Sequence, residues 1–189
     1  MPRSFLTYRE FVGDRGANSP LLVILHGRGA DDEQFVPLYD SLTPSYDACM
    51  VRAPVPVVPP TGYRSKAAER SWYQGEDIHR PEPVSFGNAL WQLEQLLRDV
   101  RDRIGVERPV VLAGCDQGAV LCLTMAAIAR DWLAGVVAID GGIPAIDGWT
   151  LPEGEADALP LLLVYDSNPR EADERVAEST VEEFRRRNS

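Results

Sequence analysis

Histidine, lysine and cysteine are scarce in this chain of 189 residues: two histidines (His26 and His79), one lysine (Lys66) and three cysteines (Cys49, Cys115 and Cys122). An odd and sparse set of cysteines builds no disulfide framework, which points to a reducing cytoplasm. None of the three has the neighbour spacing of a metal ligand, so no metal site and no cofactor is expected. Any chemistry that needs an imidazole must find it at position 26 or 79. Positive charge is short as well, with 19 basic against 29 acidic side chains and a net charge of −10. Phosphate backbones demand a basic face, so a nucleic-acid partner is excluded, and an electrostatic hold on anionic membranes is equally disfavoured. Long apolar runs are missing: Leu21 to Leu25 cannot span a bilayer, and Met1 to Phe5 lacks the core of a signal peptide.

What is present is ordinary globular composition, 44% hydrophobic and 25% charged. The length suggests a single domain over residues 1–189. Short apolar runs alternate with amphipathic segments, the pattern of an α/β fold with a mostly parallel, doubly wound sheet. The strand candidates are Leu21–Leu25, Cys49–Ala53, Pro109–Ala113, Gly135–Ile139 and Leu161–Tyr165, with Ser4–Phe11 as an edge strand. Their near-continuous apolar character predicts that both faces are covered. Apolar residues stepping by four and three predict a helix over Phe86 to Ile104, with Ser85 as its cap. A last helix is expected from Glu171 to Arg187, its acidic start read as a solvated face. Pro54 to Gly62 cannot be helix or central strand, and the stretch on to Pro83 is a long loop that could overhang a site.

Two motifs carry the chemistry. His26-Gly27-Arg28-Gly29-Ala30-Asp31 follows the first buried strand. Gly114-Cys115-Asp116-Gln117-Gly118-Ala119 follows the third and precedes an apolar helical stretch, Ala119 to Ala129. Two glycines flanking position 116 have the spacing of a nucleophile elbow, a sharp strand-to-helix turn that tolerates no neighbouring Cβ atoms. The amides of Arg28 and Gln117 would then form an oxyanion hole.

Together these residues resemble the phospholipase/carboxylesterase branch of the α/β-hydrolase fold, which includes acyl-protein thioesterases. The resemblance implies an α/β-hydrolase fold shortened at its C-terminus, a small-molecule acyl-type ligand, and a pocket near His26, Gly27, Trp72, Tyr73 and Cys115. His26 would shape the oxyanion loop, Trp72 and Tyr73 would sit near the acyl group, and Cys115 would point back into the fold. The departures are as informative. Serine is replaced by Asp116 at the elbow. Pro169 falls where the family carries its acid. No histidine follows residue 79. A Ser-His-Asp mechanism is therefore not expected.

Three functions remain open on these residues. One is a divergent carboxylesterase or thioesterase working by an altered mechanism. The second is a non-hydrolytic enzyme, an isomerase, cyclase or lyase, in which Asp116 moves protons. The third is an inactive relative that binds a ligand or partner. His79, in the overhanging loop, is the candidate substitute base, and Asp140 and Asp166 follow strands toward the crevice. Asp116 at a helix N-terminus should be comfortable as an anion. The strand Leu161–Tyr165 is expected at a sheet edge. Exposed apolar edges pair with other chains, which predicts a homodimer.

Overall fold

The computed structural model describes residues 5–14, 19–41, 46–57, 69–105, 108–152, 159–166 and 171–187. Parts of three expectations lie outside them: the start of the Ser4 strand, the loop from residue 58 to Gly62, and the segment holding Pro169.

Six strands form one sheet: β1 (Thr7–Phe11), β2 (Leu21–Leu25), β3 (Ala48–Arg52), β8 (Val110–Cys115), β9 (Gly135–Ile139) and β10 (Leu161–Val164). Two small ribbons lie between β3 and β8, pairing β4 (Val55–Pro56) with β5 (Arg70–Ser71) and β6 (Gly75–Asp77) with β7 (Arg80–Pro81). The helices are α1 (Val36–Ser41), α2 (Pro83–Ile104), α3 (Gln117–Ile128) and α4 (Glu171–Arg187). The sheet order is β1-β3-β2-β8-β9-β10. Only β1 runs antiparallel to its neighbour, and the other four pairings are parallel. Parallel neighbours require crossover connections, which α2 and α3 provide on either side of β8.

One face of the sheet carries the main core. Leu21, Val23 and Leu25 of β2, Val110 and Leu112 of β8, and Val136 and Ala138 of β9 pack there against α2, α3 and Phe184 of α4. The helix α3 is apolar on every side, with ten of its twelve residues buried. The second face is covered differently from the expectation. Ile24, Ala48 and Met50 meet Tyr39 of α1 and Phe35 there, but the cover stops near Ala113. Further along, Val137 and Ile139 are only partly buried, and Leu162 and Val164 of β10 are 55% and 40% exposed. Continuous apolar sequence signals a strand, but it does not show whether a helix lies over each face.

Element ends also moved. The long helix starts at Pro83, not Phe86, because Glu82 displaces Ser85 as the cap. Its carboxylate accepts the amides of Val84 (2.9 Å) and Ser85 (2.7 Å). Proline at the first helical position needs no amide partner and has φ preset for the helix. No described helix is long and apolar enough to cross a membrane.

Candidate active site

The turn from β8 into α3 holds Asp116 at φ 54° and ψ −121°, a left-handed conformation that a side-chain-bearing residue rarely adopts. Such a geometry costs on the order of 1–3 kcal/mol and persists only where surrounding packing enforces it. The enforcement comes from two glycines. A Cβ on Gly114 would lie 2.4 Å from the Gly118 carbonyl carbon, and one on Gly118 would lie 2.5 Å from the Leu25 oxygen. Strand, helix and the loop after β2 therefore touch through bare backbone, and the Asp116 side chain is lifted clear.

The loop Gly27–Ala30 meets this turn from β2. Gly27 accepts a bond at its carbonyl from His26 Nδ1 (2.8 Å), and its amide donates to Gln34 Oε1 (2.7 Å). Gly29 donates to the Arg70 carbonyl (2.8 Å), tying the loop to β5. His26 is buried with its tautomer set: Nδ1–H donates to Gly27, and Nε2 accepts the Ala53 amide (3.0 Å). Burial holds this imidazole below its ordinary pKa. Behind the elbow, the buried Gln117 amide group ties the head of α3 to the segment Ser71–Tyr73. Its Oε1 accepts Ser71 Oγ and the Trp72 amide, both at 2.9 Å, and its Nε2 donates to the Tyr73 carbonyl (2.9 Å).

The half-buried Asp116 carboxylate takes the Gln117 amide at 2.5 Å, and the Arg28 amide and guanidinium also favour its anion. The carboxylate thus occupies the amides that an oxyanion would use. Its pKa is nevertheless raised, because desolvation outweighs these donors and Asp140 adds like-charge repulsion. This corrects the expectation of a comfortable anion: the helix N-terminus helps, but burial costs more. The neighbouring Cys115 thiol is pushed up to about 11 by burial, with Asp116 and Asp140 adding to it, so it stays protonated at neutral pH.

Above the elbow lies a cavity of about 900 Å³ whose wall includes Arg28, His79, Asp116, Ile143 and Arg175. His79 occupies the tip of the β6–β7 hairpin, where its amide donates to Asp77 (2.7 Å) and its carbonyl accepts the Ala145 amide (2.9 Å). The fold therefore brings Asp116, Arg28 and His79 to one space. The residues expected as pocket lining sit elsewhere. Trp72 and Tyr73 are each 1% exposed, drawn into the main core, where Tyr73 meets Phe86 edge-on at 5.1 Å. His26 and Gly27 are buried behind the loop, and Cys115 is partly buried one residue below Asp116.

Sequence reasoning missed the contribution of α4. Arg175, Val176 and Ser179, just past the acidic start that was read as a solvated face, stand on the cavity wall. Their stripe follows helical spacing, but nothing local says which cavity it faces. Asp140 lies close enough to act on Asp116 and Cys115, and its carboxylate accepts the Asp166 amide at 2.9 Å. No described cluster of three or more His, Cys, Asp or Glu could hold a metal ion.

No protein-family model and no curated protein sequence matches the chain. Solved structures do. A carboxylesterase from Mesorhizobium loti superposes with a TM-score of 0.75 over 96% of this chain and 81% of its own, at 18% identity. The Bacillus cereus carboxylesterase gives 0.77 over 97% and 81%, at 14% identity. A phospholipase/carboxylesterase from Dyadobacter fermentans gives 0.68 over 100% and 85%, at 19% identity. The chain has the α/β-hydrolase fold. The strained turn between β8 and α3, flanked by Gly114 and Gly118, has the strand-to-helix form and the glycine spacing of a nucleophile elbow. In this α/β-hydrolase fold the elbow carries a carboxylate.

Proposed function

We propose that this esterase-like protein is a proton-transfer enzyme in which Asp116 acts as general base and acid on a small acyl-type ligand. The observation that carries the reading is an elbow carboxylate whose pKa is raised by burial and which opens onto a cavity that His79 also lines. A base is most useful when its pKa approaches the working pH, and burial moves Asp116 in that direction. In the reaction, one carboxylate oxygen takes a proton from carbon next to the ligand's carbonyl and returns it at a second position. His79 is the second group able to exchange a proton across the cavity. Ester or thioester hydrolysis by an acyl-enzyme is not part of this reading, because the amides that would hold the oxyanion are engaged by Asp116 itself.

The test is exchange of α-protons for deuterium in small acyl compounds, followed by NMR in heavy water. Exchange is expected in the wild type and at least 100-fold slower in Asp116→Asn, within the span usual for acid–base catalysis. Ligand binding without exchange in the wild type would overturn the reading and favour a ligand-binding protein, a role that the self-filled hole also fits. The Asp116→Asn variant has a stability signature of its own. A carboxyl raised in the folded state binds more protons than in the unfolded chain, so its contribution declines as pH rises through the raised value. The amide lacks that slope, and the variant is expected to melt higher than the wild type at pH 7.

We also propose that a second copy occupies the free edge of β10. Among the described residues β10 pairs with β9 alone, and Leu162 and Val164 stand exposed on it. Sedimentation at micromolar concentration is expected to give twice the 20.9 kDa chain mass, and Leu162→Arg to give one. A wild-type monomer would refute it. The three free cysteines fit a cytoplasmic location, which we propose as well.

A further inference from the structure

The cavity above Asp116 is lined by arginines from three separate elements. Arg28 comes from the loop after β2, Arg80 from β7 and Arg175 from α4. Five arginines elsewhere are matched to carboxylates: Arg9 and Arg52 to Asp32, Arg98 to Glu94, Arg103 to Glu10 and Arg108 to Asp47. Arg28 and Arg80 have no such ion pair among the described residues, and both are exposed. In a chain of net charge −10, two unmatched arginines on one cavity wall run against the general distribution of charge. Glu76, Asp77 and Asp116 share that wall, and none of them forms an ion pair with Arg28 or Arg80 among the described residues, although the Arg28 charge is felt by Asp116. Asp77 is engaged by the His79 amide at 2.7 Å. Glu76 and Arg80 both also line an adjoining cavity of about 610 Å³.

From this placement we infer that Arg28 and Arg80 form an anion subsite, and that the ligand of the cavity carries a carboxylate or phosphate group beside the part that faces Asp116. The inference rests on the reading of the cavity as the working site, and adds the chemical class of what enters it. Guanidinium presents its donors in a planar fork that matches two oxygens of either anion, and the contact is charge-assisted. The long-range field of an acidic protein repels such a ligand, so its retention depends on these close contacts.

The experiment measures binding of succinate, inorganic phosphate and uncharged dimethyl succinate to the intact protein by calorimetry and NMR. Variants Arg28→Gln and Arg80→Gln are compared with Arg130→Gln, which removes one positive charge outside the cavity. Succinate or phosphate is expected to bind and dimethyl succinate not to. Each cavity variant should weaken the anion about tenfold or more, the loss typical of one charge-assisted bond, and Arg130→Gln should change it less than twofold. Preference for succinate over phosphate names a carboxylate ligand, and the reverse a phosphoryl one. Equal binding of the diester, no binding of either anion, or Arg28→Gln and Arg80→Gln variants that bind like the wild type would overturn the inference. Anion binding that persists while wild-type α-proton exchange is absent would fail only the proton-transfer reading.

Discussion

Gly114→Ala is expected to lose at least about 3 kcal/mol of stability, the upper end for forced overpacking and a large share of the 5–15 kcal/mol that holds a domain together. The new methyl group would sit 2.4 Å from the Gly118 carbonyl carbon, 2.5 Å from its oxygen and 2.7 Å from the Ala119 nitrogen. All three are backbone atoms of the first turn of α3. That helix cannot retreat, because ten of its twelve residues are buried. Gly118→Ala should cost as much, since its Cβ would meet the Leu25 oxygen at 2.5 Å. Gly87→Ala is the internal control. It lies exposed in α2 with nothing within 4 Å of the added carbon, and should stabilise by about 0.5–1 kcal/mol. Urea unfolding midpoints report all three. A Gly114→Ala protein as stable as the wild type would mean the elbow is not backed by backbone contact.

Gln117→Leu is expected to cost about 2–4 kcal/mol, one or two buried polar groups left without partners. The side chain is 1% exposed and serves Ser71, Trp72 and Tyr73 at once. Leucine matches its bulk and supplies none of its bonds. The Tyr73 carbonyl keeps Ser71 Oγ at 2.7 Å, but the Trp72 amide loses its acceptor. Amide hydrogen exchange at Trp72 should therefore speed up with the fall in melting temperature. A loss below about 0.5 kcal/mol would place this network among surface-like bonds.

The parts of this structure that could be read from sequence are those set by local chemistry. β2 and β9 appear with the bounds that their apolar runs predict, Leu21–Leu25 and Gly135–Ile139. The elbow at Asp116 followed from the spacing of Gly114 and Gly118, because only a glycine pair allows that crossing. What failed depended on where elements come together. Trp72 and Tyr73 looked like pocket aromatics and went to the core, since nothing in a dipeptide says which side of a loop faces water. Arg175 carried no signal in the sequence and lines the cavity, because α4 is held there by Thr180 accepting the Ile143 amide at 2.9 Å. The direction of the Asp116 shift was missed for the same reason: the helix N-terminus is visible in sequence, and the desolvation that raises its pKa is not.

The all-apolar surface of α3 has a consequence for how the molecule opens. An isolated twelve-residue helix is marginal in water, and one with no polar side has no solvated state to rest in. It gains a place only after β2, β8 and β9 have aligned, and those pairings join distant parts of the chain. The elbow is carried at the head of this helix, so it has no existence apart from the assembled sheet. Opening at the elbow therefore coincides with loss of the whole fold, and its amides should be among the last to exchange with solvent. The hairpin bearing His79 belongs to no such unit. Motion that admits a ligand then has to come from the roof of the cavity, over a floor that stays still.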